Sequence, residues 1–279
     1  MAGIVRGIVN RIKARRLNLK KELKSNHFRI AIFGSARIEP GDKIYEQVYD
    51  LAERIGSRGY DVVTGGGPGL MEAANSGHMV GDKKNRANSI GLVIHLPFES
   101  KGNRHLEIRS RFMHFSKRLD TFLSLSHVMV VTTGGIGSLL ELYYMWQHLQ
   151  VHHVSYKPII LIGKMWRDLI DWMKKDVLPG NLVSPQDFDY IYIARDNEQA
   201  MAMIDTFHRL FRQEGNLRQI ACYKAVCAIP GKNDTLVEAM KELKAKVRTG
   251  TKSRSVRRTA AVRKKSLSAR KPSSGKKSR

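Results

Sequence analysis

The sequence predicts a doubly wound, Rossmann-like α/β domain, a parallel sheet with helices on both faces. Three observations point there. Short runs rich in Val, Ile and Phe recur along the chain, they alternate with helical patterns of about 10–15 residues, and glycine-bearing turns stand at the ends of three of them. Continuous apolar runs fit strands covered on both faces better than the in–out alternation of a half-solvated sheet. In chain order, residues 28–33 (FRIAIF) are the first expected strand, ending at Gly34-Ser35-Ala36, with a helix expected over 42–58. Residues 60–64 (YDVVT) are the second, broken by Gly65-Gly66-Gly67-Pro68-Gly69 ahead of a helix over 70–80. Residues 89–96 (SIGLVIHL) and 127–132 (HVMVVT) follow, the latter after a helix over 115–125. Gly134-Gly135-Ile136-Gly137 opens a helix over 138–150, and 158–162 (PIILI) and 190–194 (YIYIA) complete the set, each leading into a helical segment.

The net charge of +24 is unevenly spread: residues 1–29 carry +8 and 246–279 carry +14, leaving +2 for 30–245. The expected organisation is a basic amphipathic arm over 1–27, a Rossmann-like nucleotide-binding domain over 28–212, a helical extension over 213–248 and a disordered basic tail over 249–279. The arm sets Ile4, Val5, Ile8, Val9, Ile12 and Leu19 among basic residues, the pattern of an amphipathic helix over 1–24. Such a helix suits an anionic membrane surface, its own domain or a partner subunit. In the extension, Leu236, Met240 and Leu243 share one face of a helix over 234–247. From Lys252 to the last residue, Arg279, the tail lacks the apolar surface needed to offset its ordering entropy. It can contact nucleic acid without sequence preference through counterion release, although no aromatic residue follows Tyr223 to stack on bases. A solvated tail without function is the plain alternative. Cys222 and Cys227 make neither a disulfide framework nor a four-ligand zinc pattern. Reduced thiols, no apolar run near the ~20 residues of a membrane span, and a start too basic for a secretory signal together suggest a cytoplasmic protein.

In open parallel sheets, ligands bind beyond the carboxyl ends of the strands, near the point where strand order reverses. The turns at Gly34-Ser35, Gly65–Gly69 and Gly134–Gly137 stand at such ends, and two run straight into helices. Glycine lets the backbone approach a ligand, and a helix start offers unpaired N–H groups to a phosphate. No turn has the G-x-x-x-x-G-K-[ST] form of a P-loop, which argues against that class of ATPase. Glu141 follows Gly137 by four residues, about one helical turn in. It either addresses a sugar hydroxyl or a water beside a bound phosphate, or simply complements the helix dipole; the residues alone leave both open.

Three blocks resemble one known family. Residues 64–75 (TGGGPGLMEAAN) are similar to the GGGPGxMEAAN block of the LONELY GUY family, and 91–99 (GLVIHLPFE) to the GLxxxLPFE segment of its longer bacterial members. Residues 133–141 (TGGIGSLLE) resemble its PGGxGTxxE signature. The resemblance spans roughly 28–211. It implies a phosphoribohydrolase that cleaves a nucleoside 5′-monophosphate with water to a free base and ribose 5-phosphate, a reaction of proteins formerly labelled lysine decarboxylases. The family's catalytic Arg and Glu fall on Arg118 and Glu141, with Lys117 the neighbour that a one-residue shift would substitute. There are three departures: Thr133 replaces the signature's proline, Ser138 its threonine, and Leu119 the Lys after the catalytic Arg. Ser138 keeps a hydroxyl, Thr133 loosens the turn, and Leu119 removes a cation that could help to hold phosphate.

On this reading Gly134, Gly135, Gly137 and Ser138, helped by Ser35, bind the 5′-phosphate. Arg118 offsets its charge and positions the substrate, while Glu141 orients the ribose or activates water. Gly34, Gly65, Gly66, Gly67, Gly69, Met71 and Glu72 shape the base and ribose pocket, Glu72 alternatively being an ordinary first-turn acid. Neither a metal nor an organic cofactor is called for, and a homo-oligomer, dimer or larger, is expected because the family forms them. Adenine is the favoured base through the family alone. His148 and His152, at i and i+4, are better read as surface or interface histidines than as metal ligands. Met145 and Trp146 are read as packing residues or part of a subunit interface. The Thr133 and Leu119 departures keep a second function in view, a nucleotide-binding or carrier protein without turnover. A third is a nucleic-acid-associated scaffold acting through its tails.

Overall fold

The computed structural model describes residues 14–95 and 102–214, with side chains as far as 212. Residues 1–13 of the arm, Leu96 to Glu99 of the LPFE segment, and both cysteines, the expected 234–247 helix and the basic tail lie outside the described residues.

Eight parallel strands form one sheet: β1 (Arg15–Arg16), β2 (Arg29–Phe33), β3 (Asp61–Thr64), β4 (Ser89–Ile94), β5 (Ile108–Phe112), β6 (Val128–Val131), β7 (Ile159–Ile162) and β8 (Ile191–Ala194). Their spatial order is β1-β5-β4-β3-β2-β6-β7-β8. From β2 the chain winds outward through β3, β4 and β5, then returns to lay β6 on the other side of β2. The expected doubly wound sheet is present, and its switch point falls between β2 and β6, paired in register from Ile30↔Val128 to Phe33↔Val131.

The helices are α1 (Leu19–Lys24), α2 (Lys43–Ser57), α3 (Leu70–Gly81), α4 (Phe115–Leu125), α5 (Ile136–Gln150), α6 (Lys164–Trp172) and α7 (Asn197–Glu214). A π-helical turn, Met173–Val177, extends α6, and a 3-10 segment, Pro185–Tyr190, leads into β8. Every residue of β2, β3, β4, β6 and β7 is buried, which is why these strands read as unbroken apolar runs. α2 starts where Asp42 accepts a hydrogen bond from the Ile44 N–H (2.7 Å), satisfying one of the orphan donors of the first turn. It packs closely on α3. A side chain at Gly77 or Gly81 would put its Cβ 2.2 Å from the Tyr49 carbonyl oxygen or 1.9 Å from that of Glu53.

Two elements depart from the sequence reading. β5 (IRSRF) carries two arginines and falls short of an apolar run; it lies near the sheet margin, where only Ile108 is buried. The described part of the arm is also not one helix. Arg15 and Arg16 instead lie extended beside β5, with Arg15 N–H donating to Glu107 O (2.9 Å) and Leu17 N–H to Arg109 O (3.0 Å). The short α1 then docks through charge: Arg29, 1% exposed, donates to the Glu22 carbonyl oxygen at 2.6 Å, and Arg15 pairs with the Glu22 carboxylate at 2.9 Å. Unpaired backbone at a sheet margin favours added strands, and this local demand prevails over helical periodicity.

Candidate active site

The chain leaves β2 at Gly34-Ser35 and β6 at Thr133–Gly135, the two turns flanking the switch point. They are joined directly, Ser35 N–H donating to Thr133 O at 3.0 Å. The Ser35 carbonyl accepts the Leu70 N–H (2.9 Å), tying the start of α3 to the same place. These contacts need small residues. A Cβ on Gly34 would stand 2.4 Å from Thr132 Oγ1, and one on Gly69, whose φ is +67°, would stand 2.5 Å from Ser35 O. Thr133 sits in a turn held on both sides, since Trp166 Nε1 also donates to Thr132 O (3.0 Å).

α5 begins at Gly135 with no side-chain cap and no acid in its first turn. A Cβ on Gly135 or Gly137 would find nothing within 4 Å, whereas one on Gly134 would lie 2.0 Å from Ser138 Oγ. The helix start is therefore open, with a buried hydroxyl tucked beneath Gly134 and the positive end of the dipole facing outward.

Glu141 lies deeper, on the second turn of α5. It faces Arg118 of α4, with Arg118 Nη1 3.3 Å from Glu141 Oε1 and both side chains about nine-tenths buried. Burial pushes the Glu141 carboxyl up to about 7 despite the attraction of Arg118. A carboxylate that only complemented the helix dipole would sit exposed in the first turn, so the geometry favours the site reading of Glu141. Arg118 is seated by Nε donating to Leu92 O (2.7 Å) and by the Phe122 ring 5.3 Å beneath its guanidinium carbon. A Cβ on Gly65 would be 2.2 Å from Arg118 Nη2 and 2.6 Å from Met71 Sδ, so the guanidinium and Met71 both lie against the Gly65 backbone. Lys117, the neighbouring candidate, is exposed. Leu119 is 3% exposed and packs into the core.

Glu72 occupies the first turn of α3 and pairs with His105 (3.6 Å) rather than with Arg118 or Glu141. Residues 102–106 are absent from the sequence reading, yet they wall the Gly65–Gly67 turn, Asn103 N–H donating to Gly66 O (2.7 Å) and Asn103 Nδ2 to Gly67 O (3.0 Å). A short Gly-Asn step carries no periodic signal that could have announced them. The i,i+4 histidine pair is not brought together. α5 ends at Gln150, His148 meets His153 instead (3.0 Å), and His152 contacts the Tyr190 hydroxyl. Among the described residues no three His, Cys, Asp or Glu side chains cluster as metal ligands would. Met145 and Trp146 are 1% and 5% exposed, which makes them packing residues and removes them from any subunit interface. Among the described residues no helix is long and apolar enough to cross a membrane.

Residues 71–204 match the family described as possible lysine decarboxylase. The matched stretch is just under half of the chain. It contains Met71, Glu72, Arg118, the 134–138 turn and Glu141, and leaves out Ser35 and Gly65–Gly69. The pyrimidine/purine nucleotide 5′-monophosphate nucleosidase of Escherichia coli K12 is 31% identical over 133 residues, 44% of this chain and 29% of the relative. The chain thus aligns with under a third of that protein's length. Of solved structures, the structural-genomics target TM1055 superposes with a TM-score of 0.51 at 22% identity, covering 64% of this chain and 99% of its own, which supports the shared fold. The molybdenum cofactor binding protein of Rippkaea orientalis superposes at 0.47 with 21% identity over 64% of this chain and 96% of its own.

Proposed function

We propose that this domain hydrolyses the N-glycosidic bond of nucleoside 5′-monophosphates, AMP favoured, releasing free base and ribose 5-phosphate. The observation that carries the reading is the buried Arg118–Glu141 pair beside an uncapped helix start at the switch point. The nucleosidase named among the relatives and the family of residues 71–204 support it. In this reading the 5′-phosphate rests on the N–H groups at Gly134, Gly135 and Gly137 and on the hydroxyls of Ser138 and Ser35. Arg118 offsets its charge through a planar, multi-donor head. Gly34, the Gly65–Gly69 turn and Met71 line the ribose and base, with Glu72 at the rim.

Cleavage of a glycosidic bond passes through a sugar with oxocarbenium character. The C1′–N bond breaks with its electron pair leaving on the base, water adds its OH to C1′, and the base takes up the proton. Glu141, poised near neutrality, stabilises the cationic ribose while ionised, takes the proton of the attacking water and passes it to the departing base. The rate should therefore climb as pH rises through about 7 and the carboxyl ionises.

We also place the domain in a homo-oligomer, a dimer or larger. Ile136, Leu140 and Tyr143 are 83%, 44% and 39% exposed at i, i+4 and i+7 on the outer side of α5, an apolar stripe that association would cover. The proposed organisation keeps the domain at 28–212, in the cytoplasm, with the 252–279 tail making nonspecific contact with nucleic acid or anionic surfaces.

The test is incubation with AMP, GMP, CMP, UMP and adenosine, following free base by chromatography. Release from nucleotides, slower from adenosine, and lost in both Arg118→Ala and Glu141→Ala, is expected. Nucleotide binding with no release from wild-type protein would overturn the enzyme and leave a carrier.

A further inference from the structure

We infer that Asn103 is a positioning residue of the reaction centre, clamping the Gly65–Gly67 turn against which the Arg118 guanidinium is seated. The inference rests on the hydrolase reading above. Asn103 grips the turn twice, through its backbone N–H on Gly66 O (2.7 Å) and its Nδ2 on Gly67 O (3.0 Å). The same Nδ2 donates to Asn75 Oδ1 at 3.0 Å. Asn75 is fully buried on α3. Its Oδ1 also accepts from Thr64 Oγ1 (2.7 Å), and Thr64 Oγ1 in turn accepts the Gly66 N–H (2.9 Å). Asn75 Nδ2 donates to Ser89 Oγ (2.9 Å), which donates to His105 O (2.7 Å), and His105 N–H returns to Asn103 Oδ1 (3.1 Å).

The circuit is closed, uncharged and largely buried, so each bond constrains the next. It holds a turn in which Gly66 sits at φ +69° and Gly69 at +67°, positions that glycine leaves conformationally free. Gly65 transmits the constraint: Arg118 Nη2 lies where its side chain would be. The guanidinium is thus wedged between the Gly65 backbone and Leu92 O, and that wedge sets its approach to Glu141. Asn103 acts through the turn, whose carbonyls it holds. Misplacement of a reacting group by about 1 Å costs on the order of 100-fold in rate.

The experiment compares wild type with Asn103→Ala on AMP, and follows the Glu141 carboxyl by NMR of protein carrying carbon-13 glutamate across pH 5–9. The expected result is a kcat lower by about 10–100-fold with KM within about threefold, together with a displaced Glu141 titration. Wild-type kcat with an unmoved titration would overturn the inference. Should Asn103→Ala fail to fold, Asn103→Ser decides, since its hydroxyl can still donate to one of the two carbonyls. A fall in kcat at constant KM with a displaced Glu141 titration supports the clamp, and wild-type kcat contradicts it. If wild-type protein itself releases no base, the hydrolase reading fails on its own. The clamp then stands or falls on whether the Asn103 substitution moves the Glu141 titration.

Discussion

Burial holds the Glu141 carboxyl at about 7 even with Arg118 3.3 Å away, so at alkaline pH the fold carries an ionised group that it would rather keep neutral. Between the unfolded value of 4.5 and about 7 the folded state binds the extra proton. Stability on this account is greatest below about 4.5, falls as pH rises through the window, and is lower by roughly 3 kcal/mol above it. Glu141→Gln should therefore abolish turnover while raising the melting temperature at pH 8 by several degrees, the gain vanishing near pH 4.5; thermal denaturation at the two pH values checks this. The neighbouring cations give a second residue-scale prediction. Arg118→Ala should lower kcat/KM by at least about 100-fold and Lys117→Ala by less than about threefold, because only Arg118 is buried against the carboxylate. Glu141 and Arg118 were legible because they stand in or at a counted distance from a motif. Asn103 was not, since its importance lies in two carbonyls more than thirty residues earlier that only folding brings to it.

At the scale of elements, the strands were legible wherever both faces are covered. β5 was missed because a strand near the margin need not be apolar, and the helical spacing of the arm concealed the edge pairing of Arg15 and Arg16. Two glycine substitutions separate packing from ligand approach. Gly81→Ala should cost about 1–3 kcal/mol by driving α2 and α3 apart, since its Cβ would fall 1.9 Å from Glu53 O. Gly137→Ala has open space around it and should leave the melting temperature within about a degree. It should raise KM for AMP with little effect on KM for adenosine, because in the proposed function the phosphate approaches where the methyl would sit. Paired thermal melts and steady-state kinetics distinguish the two cases.

Across the described residues, the winding order reverses between β2 and β6, and the glycine turns that follow these two strands stand side by side at their carboxyl ends. The opposite end of the sheet titrates in the opposite sense. His127, which accepts the Arg29 N–H at 3.0 Å, has its pKa pushed down to about 3 by burial, then by Lys157 and Arg29. Between 6.5 and about 3 the unfolded chain binds the extra proton, so this end loses stability as pH falls while Glu141 adds it. The two slopes oppose each other between about pH 4.5 and 6.5. His127→Gln, which keeps an acceptor for Arg29, should remove the His127 slope and leave that of Glu141 unopposed, so that stability falls more steeply from pH 4.5 to 7 than in wild type, and urea titrations at the two pH values measure it. The sign of either slope could not be read from the sequence, where a histidine beside a strand and a glutamate on a helix look equally exposed.

The measurement that tests the account most directly is a time course of purified protein with AMP, quantifying adenine and ribose 5-phosphate together, alongside Glu141→Gln. The account predicts the two products in equal amounts from wild type and neither from the folded variant. Intact AMP in the wild-type reaction, or undiminished release by the variant, would contradict it.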